Sequence, residues 1–137
     1  MAVTIYNRAK YNWLNAYASK PLYALILNTY TPNPDHHTVS DVSGTEIAGN
    51  GYARTALGSI AASQDDTNDW GKLTAANIAF GAVGPGGGQA ITHLVVYDNT
   101  NGTDATRDLV AVYDCSATLN GGTFTANINA NGLLTIG

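Results

Sequence analysis

Apolar and polar positions along the chain fall into short apolar or alternating runs separated by polar gaps. Leu22–Leu27, Ile91–Tyr97 and Leu109–Cys115 are runs of Leu, Ile, Val, Ala and Tyr bounded by turn residues, the pattern of buried strands. Thr123–Ile128 alternates apolar with polar, and Asn131-Gly132 precedes a last short run, Leu133–Ile136. Lys72–Phe80 reads as a strand containing the alternation Ile78-Ala79-Phe80. Tyr52–Leu57 and Gly58–Ala62 read as one strand kinked at glycine. A single segment has helical spacing. Tyr6, Lys10, Trp13 and Tyr17 recur at three- and four-residue intervals, predicting a helix over Asn7–Ala18 with Asn7 as N-cap and Trp13 and Tyr17 facing inward. Pro21 disfavours helical backbone at Lys20 and ends it. Met1–Ile5 ahead of it is a short extended arm.

The gaps are turns and loops. Ser63–Asp69 is a polar turn, Gly81–Gly88 carries five glycines and Pro85, and Asp98–Asp108 contains the turn pair Asn101-Gly102. The longest gap is Thr31–Arg54, where Pro32 and Pro34 favour extended backbone and Gly49-Asn50-Gly51 tolerates positive φ. Several short strands with turns between them, after one helix, predict a mainly β fold. Its expected form is an antiparallel β-sandwich or jelly roll with one short N-terminal α-helix. At 137 residues one domain is expected, with arm and helix over residues 1–20 and a long surface loop over 31–54. A loop of that length in a compact domain is usually functional.

Composition narrows the partners. Six basic and ten acidic residues give a net charge of −4, and no basic run offers a nucleic-acid footprint. Only 12% of residues are charged, so Asn, Thr, Ser and Gly supply most of the polar surface. Uncharged polar groups cost less to desolvate than ions, which suits packing against other protein. No apolar run is long enough to span a membrane and no secretory h-region is visible, so synthesis in a cytoplasm is expected. Cys115, the one cysteine, has no intrachain partner and reads as a small core hydrophobe.

Candidate chemistry is sparse. His36 and His37 are adjacent in an extended segment and point to opposite faces, and His93 lies in a strand, so no metal set forms from spacing. Asp65-Asp66-Thr67-Asn68-Asp69 lacks the glycine and the bidentate glutamate of an EF-hand loop; a solvated turn is expected there, with an irregular calcium site as the alternative. Gly84–Gly88 lacks the Lys-Ser/Thr of a phosphate loop. Asp41 with Glu46, or Asp65 with Asp69, are sequence-local acid pairs without a sign of burial, and no Gly-x-Ser-x-Gly elbow occurs. No cofactor, no metal and no enzymatic activity are expected.

The order of several blocks carries a resemblance. Thr4-Ile5-Tyr6-Asn7 with Lys10-Tyr11-Asn12 and Leu14-Asn15 opens the series. Tyr30-Thr31-Pro32-Asn33, Asp35-His36, Ser40-Asp41-Val42, Glu46 and Gly49-Asn50-Gly51-Tyr52 follow, then Gln64-Asp65-Asp66, Asn68-Asp69 and Asn131-Gly132-Leu133. This series, spanning essentially the whole chain, resembles a family of small tailed-bacteriophage virion proteins; the chain departs from it in a glycine-rich insertion at Gly81–Gln89. The resemblance implies a capsid decoration (cement) or fibre-like protein, often a homotrimer, that bridges subunits of the major capsid protein on the virion surface. Its alternative is a tail- or fibre-associated protein that binds a host receptor or glycan. On this reading the expected contact residues are Val3, Ile5 and Tyr6 of the arm and Asp35, His36, His37 and Tyr52 of the loop, with neither nucleic acid nor membrane as partner.

Overall fold

The computed structural model describes residues 1–49, 51–83 and 89–137. The chain is mainly β, its strands pair antiparallel, and its one α-helix lies near the N-terminus. Its elements are α1 (Asn7–Ala18), β1 (Leu22–Leu27), β2 (Thr55–Ala56), β3 (Ala61–Asp65) and β4 (Trp70–Thr74), followed by β5 (Ile78–Ala82), β6 (Gln89–Asp98), β7 (Leu109–Leu119), β8 (Thr123–Ala126) and β9 (Leu134–Ile136). They divide between two compact units, each built from separated stretches of chain.

The larger unit, Pro21–Ala56 with Ile78–Ala126, holds a four-stranded sheet in the order β2-β1-β6-β7 and a two-stranded pair, β5-β8. The register of β1 on β6 runs from Leu22 opposite Asp98 to Leu27 opposite His93. One face carries Leu25, Leu27, Val95 and Tyr97, which cluster with Val39 and Val42 and are flanked by Tyr23, Tyr30 and Leu109. Ala24, Ile26, Leu94 and Val96, facing the other way, are also buried. Burial on both faces explains why these runs are continuously apolar rather than alternating.

The segment expected as surface loop 31–54 is only partly one. Two 3₁₀ turns, Val39–Asp41 and Ser43–Thr45, interrupt it, and Val39, Val42 and Ile47 are buried. Their apolar side chains remove enough surface from water to hold the segment against the sheet. Asn50 lies outside the described residues, as do residues 84–88 of the expected glycine-rich connection.

The smaller unit, Met1–Lys20, Leu57–Asn77 and Asn127–Gly137, packs α1 on the sheet β3-β4-β9. Leu14, Leu57, Leu73 and Leu133 are its buried apolar residues. The helix spans the expected residues, but Tyr6 rather than Asn7 is the N-cap. The inward positions are Lys10 and Leu14; Trp13, expected inside, is 52% exposed because it sits at the margin of the stripe those two define, and Tyr17 is half-buried. The helix approaches β4 where a side chain is missing: a Cβ on Gly71 would lie 2.7 Å from the Lys10 carbonyl carbon.

Two expected strands are each divided in two. The run Tyr52–Ala62 gives β2, paired with β1, and β3, paired with β4, separated by a turn in which Ser59 has φ +53°. Lys72–Phe80 likewise gives β4 and β5, in different sheets. Leu73 is buried on an odd position while Ile78 and Phe80 are buried on even ones. A single strand would send them to opposite faces, so the chain breaks between them.

Candidate protein-interaction surfaces

In the smaller unit the arm is largely exposed, with Val3, Thr4 and Ile5 beside Asn7, Lys10 and Asp69. Met1–Tyr6 forms no strand, and Val3, Ile5 and Tyr6 are 84%, 38% and 78% exposed. Just behind it, polar groups tie α1 to the β3–β4 turn. The Asn7 side-chain amide donates to Asp66 and Asp69 carboxylates at 3.1 Å each. Buried Lys10 donates from Nζ to the Asp69 carbonyl at 2.6 Å. The acidic turn itself is held by its own donors: Asp65 accepts from the Thr67 and Asn68 backbone, the Asn68 amide and Lys72 Nζ. The Asn68 side chain first, then its N–H and Lys72, hold the Asp65 carboxyl well below the usual range, and Gln64 and Asn7 do the same for Asp66.

In the larger unit the loop residues are fixed by a charged clamp. Arg54 donates to both Glu46 oxygens, at 2.8 and 2.7 Å, and to both Asp104 oxygens, at 2.7 and 2.9 Å. Two bidentate forks on one guanidinium fix direction as well as charge. Hydrogen bonds to Glu46 and then Asp104 raise the Arg54 pKa, and Arg54 lowers that of Asp104. Tyr52 joins the clamp: its hydroxyl donates to Glu46 at 2.8 Å and accepts from the Ile26 N–H at 3.1 Å, while its ring stacks on Phe80. Burial drives its phenol well above the ordinary range. Asp41 accepts from the Thr38 and His37 N–H groups, which lowers its pKa.

Between loop and sheet lies an open groove of about 260 Å³, with Tyr30, Pro34 and His36 on one side and Val95, Leu109 and Val112 on the other. The Tyr30 hydroxyl and His36 Nδ1 are 2.9 Å apart, and His93 meets the Tyr30 ring edge-on while pairing with Asp114 at 3.0 Å. Among the described residues no group of three or more His, Cys, Asp or Glu comes together to hold a metal ion.

The expected contact residues are therefore placed differently from one another. Val3 and Tyr6 are largely exposed, whereas Ile5 is mostly covered and lines a groove with Asn7, Lys10 and Asp69. Asp35 and His37 are exposed, and His36 is half-buried against Tyr30. Tyr52 is half-buried, its hydroxyl bonded to Glu46 and Ile26 and its ring stacked on Phe80. Missed by sequence reasoning were the Arg54 clamp and the exposed Val112 on β7. Asp104 is fifty residues from Arg54, and no local spacing signals such a pair. No family model, curated protein or solved structure matches this chain.

Proposed function

We propose that this chain is a non-enzymatic structural protein that binds other protein through its exposed arm, and that its setting is the head of a tailed phage as a decoration (cement) protein. The observation that carries protein binding is the arm. Val3, Ile5 and Tyr6 expose apolar side chains ahead of a folded helix, and neighbouring exposed apolar side chains mark contact surfaces. The phage-head setting is supported by the block resemblance alone. A rigid loop, clamped by Arg54 and backed by Tyr52, suits repeated contact with a fixed lattice. Bridging several subunits makes modest contacts additive through effective concentration, and binding only the assembled shell stabilises it by mass action.

The receptor- or glycan-binding alternative calls for aromatic side chains displayed on the loop. Tyr52, the one aromatic residue of Thr31–Arg54, is stacked on Phe80, which favours the decoration reading. The test is co-sedimentation of the purified chain with shells of the major capsid protein of the same phage. Saturable binding that raises the shell's melting temperature, lost on deleting residues 1–6, is expected. Absence of binding to shells, with binding to host cells instead, would overturn the proposal.

A further inference from the structure

We infer that Asn101 is a site of spontaneous modification, converted to aspartate and isoaspartate through a cyclic imide formed with the Gly102 nitrogen, ahead of Asn120 and Asn131. The inference is independent of the phage-head reading, since it needs only this chain and water. The Gly102 nitrogen, its proton lost to solvent base, bonds to Asn101 Cγ, and the bond from Cγ to the side-chain nitrogen breaks. Ammonia leaves, taking a proton from water. Water then adds to either carbonyl of the imide and opens it to aspartate or isoaspartate. One water is consumed and one ammonia released. Glycine after asparagine favours the closure because no Cβ shields the attacking nitrogen.

Asn-Gly occurs at Asn50, Asn101, Asn120 and Asn131, so sequence alone does not rank them. Asn50 lies outside the described residues. For the others the fold decides, by what it does to the glycine N–H. At Asn120 the Gly121 N–H donates to the Val83 carbonyl at 3.0 Å, and the Val83 N–H returns to the Gly122 carbonyl at 3.1 Å. The Asn120 side-chain oxygen also accepts from the Gly122 N–H. At Asn131 the Gly132 N–H donates to the Asn129 carbonyl at 3.0 Å. Gly132 sits so close to β4 that a Cβ there would lie 2.7 Å from the Leu73 carbonyl oxygen. Gly121 and Gly132 both hold left-handed backbone, φ +90° and +88°. Attack at either pair requires local opening of backbone bonds first.

Gly102 differs on each count. Among the described residues no acceptor pairs with its N–H. Its φ is not left-handed, and a Cβ built on it meets nothing within 4 Å. Asn101 and Gly102 are both exposed. The tie on the Asn101 side chain is one bond, from Nδ2 to the Thr106 carbonyl at 2.8 Å, and it runs through the nitrogen that leaves. The site also has a consequence for the fold. The Asn101 carbonyl accepts from Arg107 Nε at 2.9 Å, and Arg107 pairs with Asp104, which in turn holds Arg54. A carboxylate at position 101 has no proton to donate to Thr106, sets a negative oxygen against that carbonyl and competes with Asp104 for Arg107. The modification thereby loosens one jaw of the clamp.

Peptide mapping by mass spectrometry of the folded chain, held in mildly alkaline buffer and sampled over days, reads the order. Asn101 is expected to convert first, about fivefold or more ahead of Asn120 and Asn131, the factor by which one held hydrogen bond slows a step that must break it. Gly102→Ala, which the open space around Gly102 allows, is expected to suppress conversion at Asn101 alone. In guanidinium the rates at the three sites are expected to converge, because every glycine N–H is then free. Conversion at Asn120 or Asn131 first, an unmodified Asn101, or a ranking unchanged in guanidinium would each overturn the inference. Asn101→Asp carries the product from the start and is expected to melt below wild type; an unchanged melt would overturn the link to the clamp.

Discussion

The two compact units are held together by different means. In the larger, β1 and β6 bury apolar side chains on both faces, and the loop residues Val39 and Val42 complete one face. In the smaller, a short helix meets a three-stranded sheet through a bare glycine, with few buried leucines and a seam of polar contacts from Asn7 and Lys10 to the acidic turn. The contrast shows that burial of apolar area can anchor one part of a chain while close backbone approach and hydrogen bonding anchor another. It also locates the free apolar surface. The larger unit keeps nearly all of its large apolar side chains inside, whereas the smaller begins with an arm that does not.

Truncating the larger unit's core should have the greatest effect. Leu25→Ala, at a fully buried position, is expected to cost about 3–4 kcal/mol by lost transfer energy and cavity formation, read by urea denaturation. Next, Gly71→Ala probes the smaller unit. Its Cβ would crowd the Lys10 backbone, so helix and strand must separate, costing about 2–3 kcal/mol by overpacking. Hydrogen exchange should then rise in α1, β3 and β4, with β1 and β6 far less affected. Uniform loss of protection throughout would collapse the distinction between the units.

A smaller effect is expected at the clamp. Arg54→Ala leaves Glu46 and Asp104 without their forks. Because the groups are partly solvated, about 1–2 kcal/mol is expected rather than the full cost of an isolated buried charge. The mildest change is with acid. Asp41, Asp65, Asp66 and Asp104 all have depressed folded pKa values. Their contribution is present above the unfolded carboxylate value of about 4. As pH falls below it the unfolded chain takes up protons first, and stability declines through the folded values. Thermal melts between neutral pH and pH 3 read this, and Arg54→Ala should flatten the decline by releasing Asp104. A slope unchanged in that variant would remove the clamp from the account.

How much of this was legible depended on which physics wrote each feature. The continuous apolar runs of β1, β6 and β7 and the helix Asn7–Ala18 follow from local pattern, and the antiparallel mainly β class follows with them. Where two strands abut without a turn signal, pattern misled: Lys72–Phe80 looked continuous because the change of parity between Leu73 and Ile78 spans only Thr74–Asn77. Trp13 was expected inside because aromatic area outweighs lysine on any scale, yet Lys10 takes the buried position by donating to a carbonyl that only tertiary structure supplies. For the candidate surfaces, the arm was readable as apolar. The bonds of Tyr52 to Ile26 and Glu46 and the clamp of Arg54 on Asp104 join residues whose meeting no local pattern encodes.

The most direct test of the central claim, that this is a structural protein of a phage head, is a cryo-electron map of the native particle with this chain traced. The account predicts density at repeated positions on the head lattice, with Val3, Ile5 and Tyr6 in protein–protein contact and Tyr52 inside the fold. Density confined to the tail or its tip, or an arm standing free in solvent on the assembled particle, would contradict it.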